Sequence, residues 1–237
     1  YLMPSPKTED VYLITVRLRG KPASAEVMQW VREQEKRHAA DGVLIGGELK
    51  YEQEVQDAIF SKLPHVAAFV TAANYAVLAI ALRSLLIPAK AILMNLLSLG
   101  ASFGILVWLF QGGKWGLEAT DIAIMIPVFL FGLVFGISMD YGIFLLSRIC
   151  EAYRQSGDTD LSVREGLLSS GKIITSAAAI MIAVTAPFAL AGVSGVKQLG
   201  IGIAAALLID ATLIRLTLVP ALMKLIGKWN WWMPRLG

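Results

Sequence analysis

Five apolar stretches limit what this chain can become: residues 64–82, 91–112, 122–147, 173–194 and 198–223. Each has roughly the 20 residues that about 30 Å of hydrocarbon demands of a helix rising 1.5 Å per residue. The mean hydropathy of +0.64, with 56% hydrophobic residues, is far above what a solvated surface permits. Charge divides the chain unevenly. Residues 1–62 hold 9 of the 21 Lys and Arg and 10 of the 18 Asp and Glu, which leaves 20 charged residues for everything after them. The expected fold class is a mainly α membrane protein in which a water-exposed segment, 1–62, precedes a five-helix transmembrane domain, 63–237.

In the first segment, VYLITVRLR places Tyr12, Ile14, Val16 and Leu18 in alternation with more polar neighbours, the period of a half-buried strand. Ser24 can cap a helix running to about Ala40, VLIGG at 43–47 reads as a second strand closed by a glycine turn, and a polar helix from about Lys50 to Lys62 leads to the membrane. Strand, helix, strand and helix make part of an α+β sandwich with an open edge. The segment therefore reads as an incomplete domain. The chain, which starts with neither Met nor a signal peptide, reads as a fragment.

Several function classes lack support. No CxxC, HExxH or phosphate-loop spacing occurs, so neither a metal nor a cofactor is expected, and Cys150 alone cannot form an internal disulfide. The pI near 9.0 comes from basic loops, and no basic stripe with interleaved aromatics points to nucleic acid. His38 and His65 read as solvated, Cys150 as an ordinary thiol, and Gly46 and Gly47 as a turn.

Loop charge orients the spans. With the N-terminal segment outside, the inner connections carry Arg83, Lys90, Arg148, Arg154, Arg164, Lys172, Lys224, Lys228 and Arg235, against Lys114 and Lys197 outside. Trp108 and Trp115 then fall near the outer interface, and Trp229, Trp231 and Trp232 near the inner one. The C-terminus is expected in the cytoplasm.

Inside this apolar frame stand a few costly groups. FGISMDYGIFLLSR carries Asp140 and Tyr141, and a carboxylate at membrane depth costs about 2.5–3.5 kcal/mol on insertion scales. Gly132, Gly136 and Asp140 share one helical face, as do Gly202, Ala206 and Asp210, so each carboxylate ends a small-residue stripe of the kind that lets helices approach closely. The expectation is a carboxylate that faces protein rather than lipid. Asp140 and Tyr141 diverge by about 100° and need separate partners; Arg215, five residues after Asp210, is about 140° away on an α-helix and is no i+4 partner. Each aspartate could also be a structural hydrogen-bonder between helices, and Arg148 an anchor at the inner interface.

The run GISMDYGIFLLSR, then GKIITSAAAIM, then LLIDATLIRLTLVPALMKLIG and NWWMPR, resembles the end of the second half of an MMPL-type transporter of the resistance-nodulation-division (RND) superfamily. The similarity is strong from about residue 60 onward and weaker over 11–60. It implies that the five spans are helices 8–12, preceded by the tail of an extracytoplasmic porter domain. It implies a proton relay in Asp140 and Tyr141, completed by a second Asp-Tyr pair in a first half that this chain lacks, with Asp210, Arg215 and Arg148 as an accessory polar network. Gly132, Gly136, Gly202 and Ala206 are the helix-packing stripe.

The function implied is export of lipid or another hydrophobic compound, driven by the proton-motive force, at a bacterial cytoplasmic membrane. The expected partners are the bilayer, a hydrophobic cargo and the missing half, with room for an oligomer; no enzyme is expected. A non-transporting lipid or sterol sensor or scaffold on the same helices is the alternative. A third reading, an intramembrane hydrolase with Asp140 and Asp210 as an aspartyl dyad, requires the two carboxylates to share a proton within hydrogen-bonding distance.

Overall fold

Long helices account for most of the computed structural model, which describes residues 2–4, 12–16, 25–38, 41, 43–113 and 119–232. Lys114, Trp115 and Arg235, and the predicted helix ends at Ser24 and Ala40, lie outside the described residues. Two compact units divide the chain, Tyr1–His65 and Val66–Gly237.

The first unit contains a short antiparallel pair, β1 (Leu2–Pro4) with β2 (Tyr12–Ile14), in register Leu2 opposite Ile14. The first strand was not expected: Leu2 and Met3 form a brief apolar run that ends in Pro4, a residue an edge strand tolerates. Helix α1 (Ala25–His38) follows, with Val27, Met28 and Val31 buried. The VLIGG stretch is not a strand. Residues 43–46 are irregular, Gly47 turns at φ +114°, and Val43 and Leu44 are exposed. Among the described residues no strand lies beside this run with its two glycines, and its last carbonyl, that of Gly47, is taken by the Tyr51 N–H at 3.0 Å as the next helix begins. Ion pairs Lys50–Glu35 (2.6 Å) and Arg32–Asp57 join α1 to the start of the next helix, and at the surface such pairs contribute about 0–1 kcal/mol. His38 sits 3.0 Å from Asp41, and exposed His65 bonds the Ser61 carbonyl at 3.0 Å.

Helix α2 (Glu48–Leu82) runs without a break through Pro64, so the polar helix and the first apolar span are one element. Next come α3 (Leu86–Leu106) with a π-helical end at Val107–Gln111, α4 (Met125–Ser156), and α5 (Thr159–Thr185) with a 3-10 end at Ala186–Leu190. The last rod comprises α6 (Ser194–Ile209), a π-helical stretch Asp210–Leu218, α7 (Val219–Ile226) and a 3-10 turn Gly227–Trp231. Among the described residues five helices are thus long and apolar enough to cross a membrane.

The 32 residues of α4 extend about 48 Å, beyond the hydrocarbon thickness, so the expected loop between the third and fourth spans is mostly helix. Only Gly157 and Asp158 connect α4 to α5. The Asp158 side chain caps α5 by accepting from the N–H groups of Asp160 (2.8 Å) and Leu161 (3.4 Å). Close contact follows, since a Cβ on Gly166 would lie 2.3 Å from the Ile149 side chain and 3.1 Å from its backbone nitrogen.

The packed centre of the second unit is formed by Leu106, Leu130, Val134, Phe135, Leu145, Ile149, Ile174 and Leu207. Phe69, Ile80, Leu168, Ile180 and Leu225 point away from it, an apolar exterior suited to lipid.

At the Gly157 end of this unit the NWW motif forms a clasp. Asn230 is fully buried and donates to the carbonyls of Met223 and Gly227, both at 2.6 Å. Its side-chain oxygen accepts from Lys90 Nζ, and its backbone carbonyl accepts from Ser84 Oγ at 2.6 Å. Trp231 stacks on Tyr153, with ring centres 3.8 Å apart, and donates to Thr159 Oγ1 at 3.3 Å. Asn230→Ala leaves Lys90 without this partner, at about 1–3 kcal/mol, and takes the side-chain amide from the Gly227 carbonyl and from the Met223 carbonyl, which keeps the Gly227 N–H. A clear fall in the thermal midpoint in detergent is the expected result; an unchanged midpoint would show the clasp to be dispensable.

Candidate functional site

The site centres on a widened turn. On an α-helix Asp210 and Arg215 would point apart, but residues Asp210–Leu218 are π-helical, and i→i+5 bonding brings position i+5 back over position i. Arg215 Nε donates to Asp210 Oδ2 at 2.8 Å, so the α-helical angle that made Arg215 no i+4 partner does not apply over this stretch. Two sequence features favour the widening. Thr212 Oγ1 donates back to the Leu208 carbonyl at 2.5 Å, and Pro220, just beyond, has no N–H with which to continue the ordinary ladder.

Both partners are buried, each 3% exposed. Two charges taken this far from water need compensation from each other and from further hydrogen bonds. Arg215 Nη2 supplies two more, to the Ser138 carbonyl and to Ser138 Oγ at 3.1 Å. The same guanidinium lies 5.5 Å from the centre of the Tyr141 ring. Asp210, Arg215, Ser138 and Tyr141 are therefore one connected group spanning the last rod and α4.

Asp140 stands apart from it. The roughly 100° between successive side chains turns Tyr141 inward and Asp140 outward, where the chain leaves it exposed. Among the described residues it has no hydrogen-bond or ion-pair partner. Gly132 and Gly136 are exposed as well, and a Cβ on either would meet nothing within 4 Å. The first stripe thus forms an open face: among the described residues no element covers that side of α4, so the expectation that its carboxylate faces protein is not tested by this chain.

The second stripe lies against α3. Ser102 Oγ donates to the Gly202 carbonyl at 2.7 Å and Ser98 Oγ to the Ala206 carbonyl at 3.1 Å. A Cβ on Gly202 would lie 2.9 Å from a Leu106 methyl and 3.1 Å from one of Leu130, a tight approach that a larger residue would meet by shifting those leucine ends.

Arg148 is outside the connected group. It is exposed, pairs with Glu151 at 3.2 Å and lies 5.7 Å from the Phe144 ring centre. Cys150 is buried, its thiol 3.8 Å from the Leu82 carbonyl. An aspartyl dyad has no support, since Asp210 is held by Arg215 while Asp140 bonds nothing.

Sequence reasoning missed Ser138, Asn95 and Lys90. All three line, with Asp210 and Arg215, a cavity of about 40 Å³ among α3, α4 and the last rod. A serine and an asparagine inside apolar runs are the signal that could have found the first two.

The geometry can be set beside known proteins. The MMPL family matches residues 4–237. The chain is 42% identical over 216 residues to the heme uptake protein MmpL11 of Mycobacterium tuberculosis, covering 89% of this chain and 22% of that protein. It is 40% identical over 219 residues to the mycolic acid-containing lipids exporter MmpL11 of Mycolicibacterium smegmatis, 90% of this chain and 23% of the relative. The trehalose monomycolate exporter MmpL3 of M. tuberculosis is 39% identical over 198 residues, 81% and 21%. The chain spans about a fifth of the length of these relatives. With five apolar helices in place and the match running over nearly every residue, the chain belongs to the MMPL family.

Proposed function

We propose that the chain is part of a proton-driven transporter that exports lipid or another hydrophobic compound from a bacterial cytoplasmic membrane. The observation that carries this reading is the open Gly132–Gly136–Asp140 face, placed one residue from a Tyr141 that touches the buried Arg215–Asp210 pair. An unpartnered carboxylate on a glycine face suits a second helix that approaches closely. That helix would bring the other Asp-Tyr pair, from a half absent here. Protonation of Asp140 removes a charge between the two helices, and Tyr141, which both donates and accepts, passes the change to Arg215.

Two of the relatives above are named exporters of mycolic acid-containing lipids or trehalose monomycolate, which supports a lipid cargo. Residues 1–62 would belong to the extracytoplasmic porter domain, and the spans would be helices 8–12 of the transporter. The test is lipid flux into or out of proteoliposomes holding the full-length transporter under an imposed pH gradient. Flux indifferent to the gradient would remove the proton from this reading.

The orientation is checked separately. With Cys150 replaced by Ala, single cysteines at the exposed positions Gln111 and Gln155 report the two ends of the bundle. An impermeant thiol reagent added outside intact cells is expected to label Gln111→Cys and spare Gln155→Cys. The opposite pattern inverts the topology.

A further inference from the structure

The cavity beside the Asp210–Arg215 pair is lined by two residues, Arg215 and Asn95, that each keep one buried polar atom unpaired. Arg215 Nη1 is a donor and Asn95 Oδ1 an acceptor; both are buried without a hydrogen-bond partner, in residues 3% and 2% exposed. Asn95 is fixed in place, since its amide nitrogen donates to the Phe135 carbonyl at 3.3 Å, which aims the oxygen elsewhere. An orphaned donor and an orphaned acceptor at membrane depth each carry a penalty, which water in the cavity their residues line relieves by accepting from the one and donating to the other. A cavity of about 40 Å³ exceeds the roughly 10–15 Å³ that one water needs.

We propose that this cavity is a water site, in which water accepts from Arg215 Nη1 and donates to Asn95 Oδ1. The site runs from Asp210 and Arg215 to Lys90, whose ammonium is tied to Asn230 in the clasp. It therefore gives the buried ion pair a hydrated connection toward the Gly157 end of the bundle. Asn95 is a positioning residue: it holds water beside the pair and touches neither charge. That a proton uses this connection rests on the proposed function; that water occupies it does not.

The cavity walls supply their own reporters, because Met94, Met139 and Met223 line it and are otherwise buried. Radiolytic footprinting of the protein in lipid nanodiscs generates hydroxyl radicals from bound water and oxidises the methionine sulfurs beside it. The expected result is oxidation of these three methionines in the wild type and its loss in Asn95→Leu at an unchanged thermal midpoint. Ala91→Leu, which fills the cavity from an apolar wall and leaves the hydrogen bonds above in place, is expected to lose the label too; it serves if Asn95→Leu does not fold.

Unlabelled methionines in the wild type would show a dry cavity and overturn the proposal. Label that persists in both variants would overturn it equally. Because the readout is water and not flux, a labelled cavity in a protein whose flux ignores pH keeps the water site and discards the proton reading.

Discussion

Asp210→Leu alone is expected to destabilise the protein by about 3–5 kcal/mol, while Asp210→Leu combined with Arg215→Met recovers most of that loss. The asymmetry follows from burial. Each residue is 3% exposed, so deleting the carboxylate strands a guanidinium whose Nη1 already lacks a protein partner. Deleting both removes the desolvation penalty along with the attraction, and two apolar side chains of similar volume fill the space. Thermal unfolding in detergent measures both variants. A single variant as stable as the wild type would mean that water reaches the pair freely. A double variant as unstable as the single would mean that the π-helical turn itself depends on the salt bridge. If the pair is also part of the transport machinery, the double variant regains stability without regaining flux, which separates the two roles.

The difference between what was and was not legible in the sequence has a physical origin. The five spans follow from hydropathy because an apolar run of about 20 residues has few other homes. Their ends are less legible: residues 159–172 are polar enough to look like a loop, yet they continue α5 because Asp158 caps it and Ser162, Val163 and Gly166 pack inward. The Gly202–Ala206 stripe was readable since its neighbours, Ser98 and Ser102, belong to the same chain. The Asp210–Arg215 bond was not, because 100° per residue holds only on an α-helix and a π-helical turn changes that angle. VLIGG failed for another reason: a strand is defined by a partner, and local composition does not say whether one is present.

Asp140→Asn is expected to abolish flux driven by a pH gradient and to leave the thermal midpoint unchanged. In this chain the carboxylate is exposed and bonds nothing, so replacing it with an amide of the same shape breaks no contact of the fold. What it removes is the ability to gain and lose a proton. Tyr141→Phe keeps the ring against Arg215 and deletes one hydroxyl, so flux falls without vanishing. Gly136→Leu is more informative than its size suggests. A side chain there meets nothing of this chain within 4 Å, so the five helices still fold, and any damage falls on whatever helix packs against that face. Measured in proteoliposomes and normalised to protein, near-normal flux in Asp140→Asn ends the relay and turns the reading toward a non-transporting lipid sensor. Near-normal flux in Gly136→Leu would mean that no helix closes on the stripe, and that Asp140 exchanges its proton in the open.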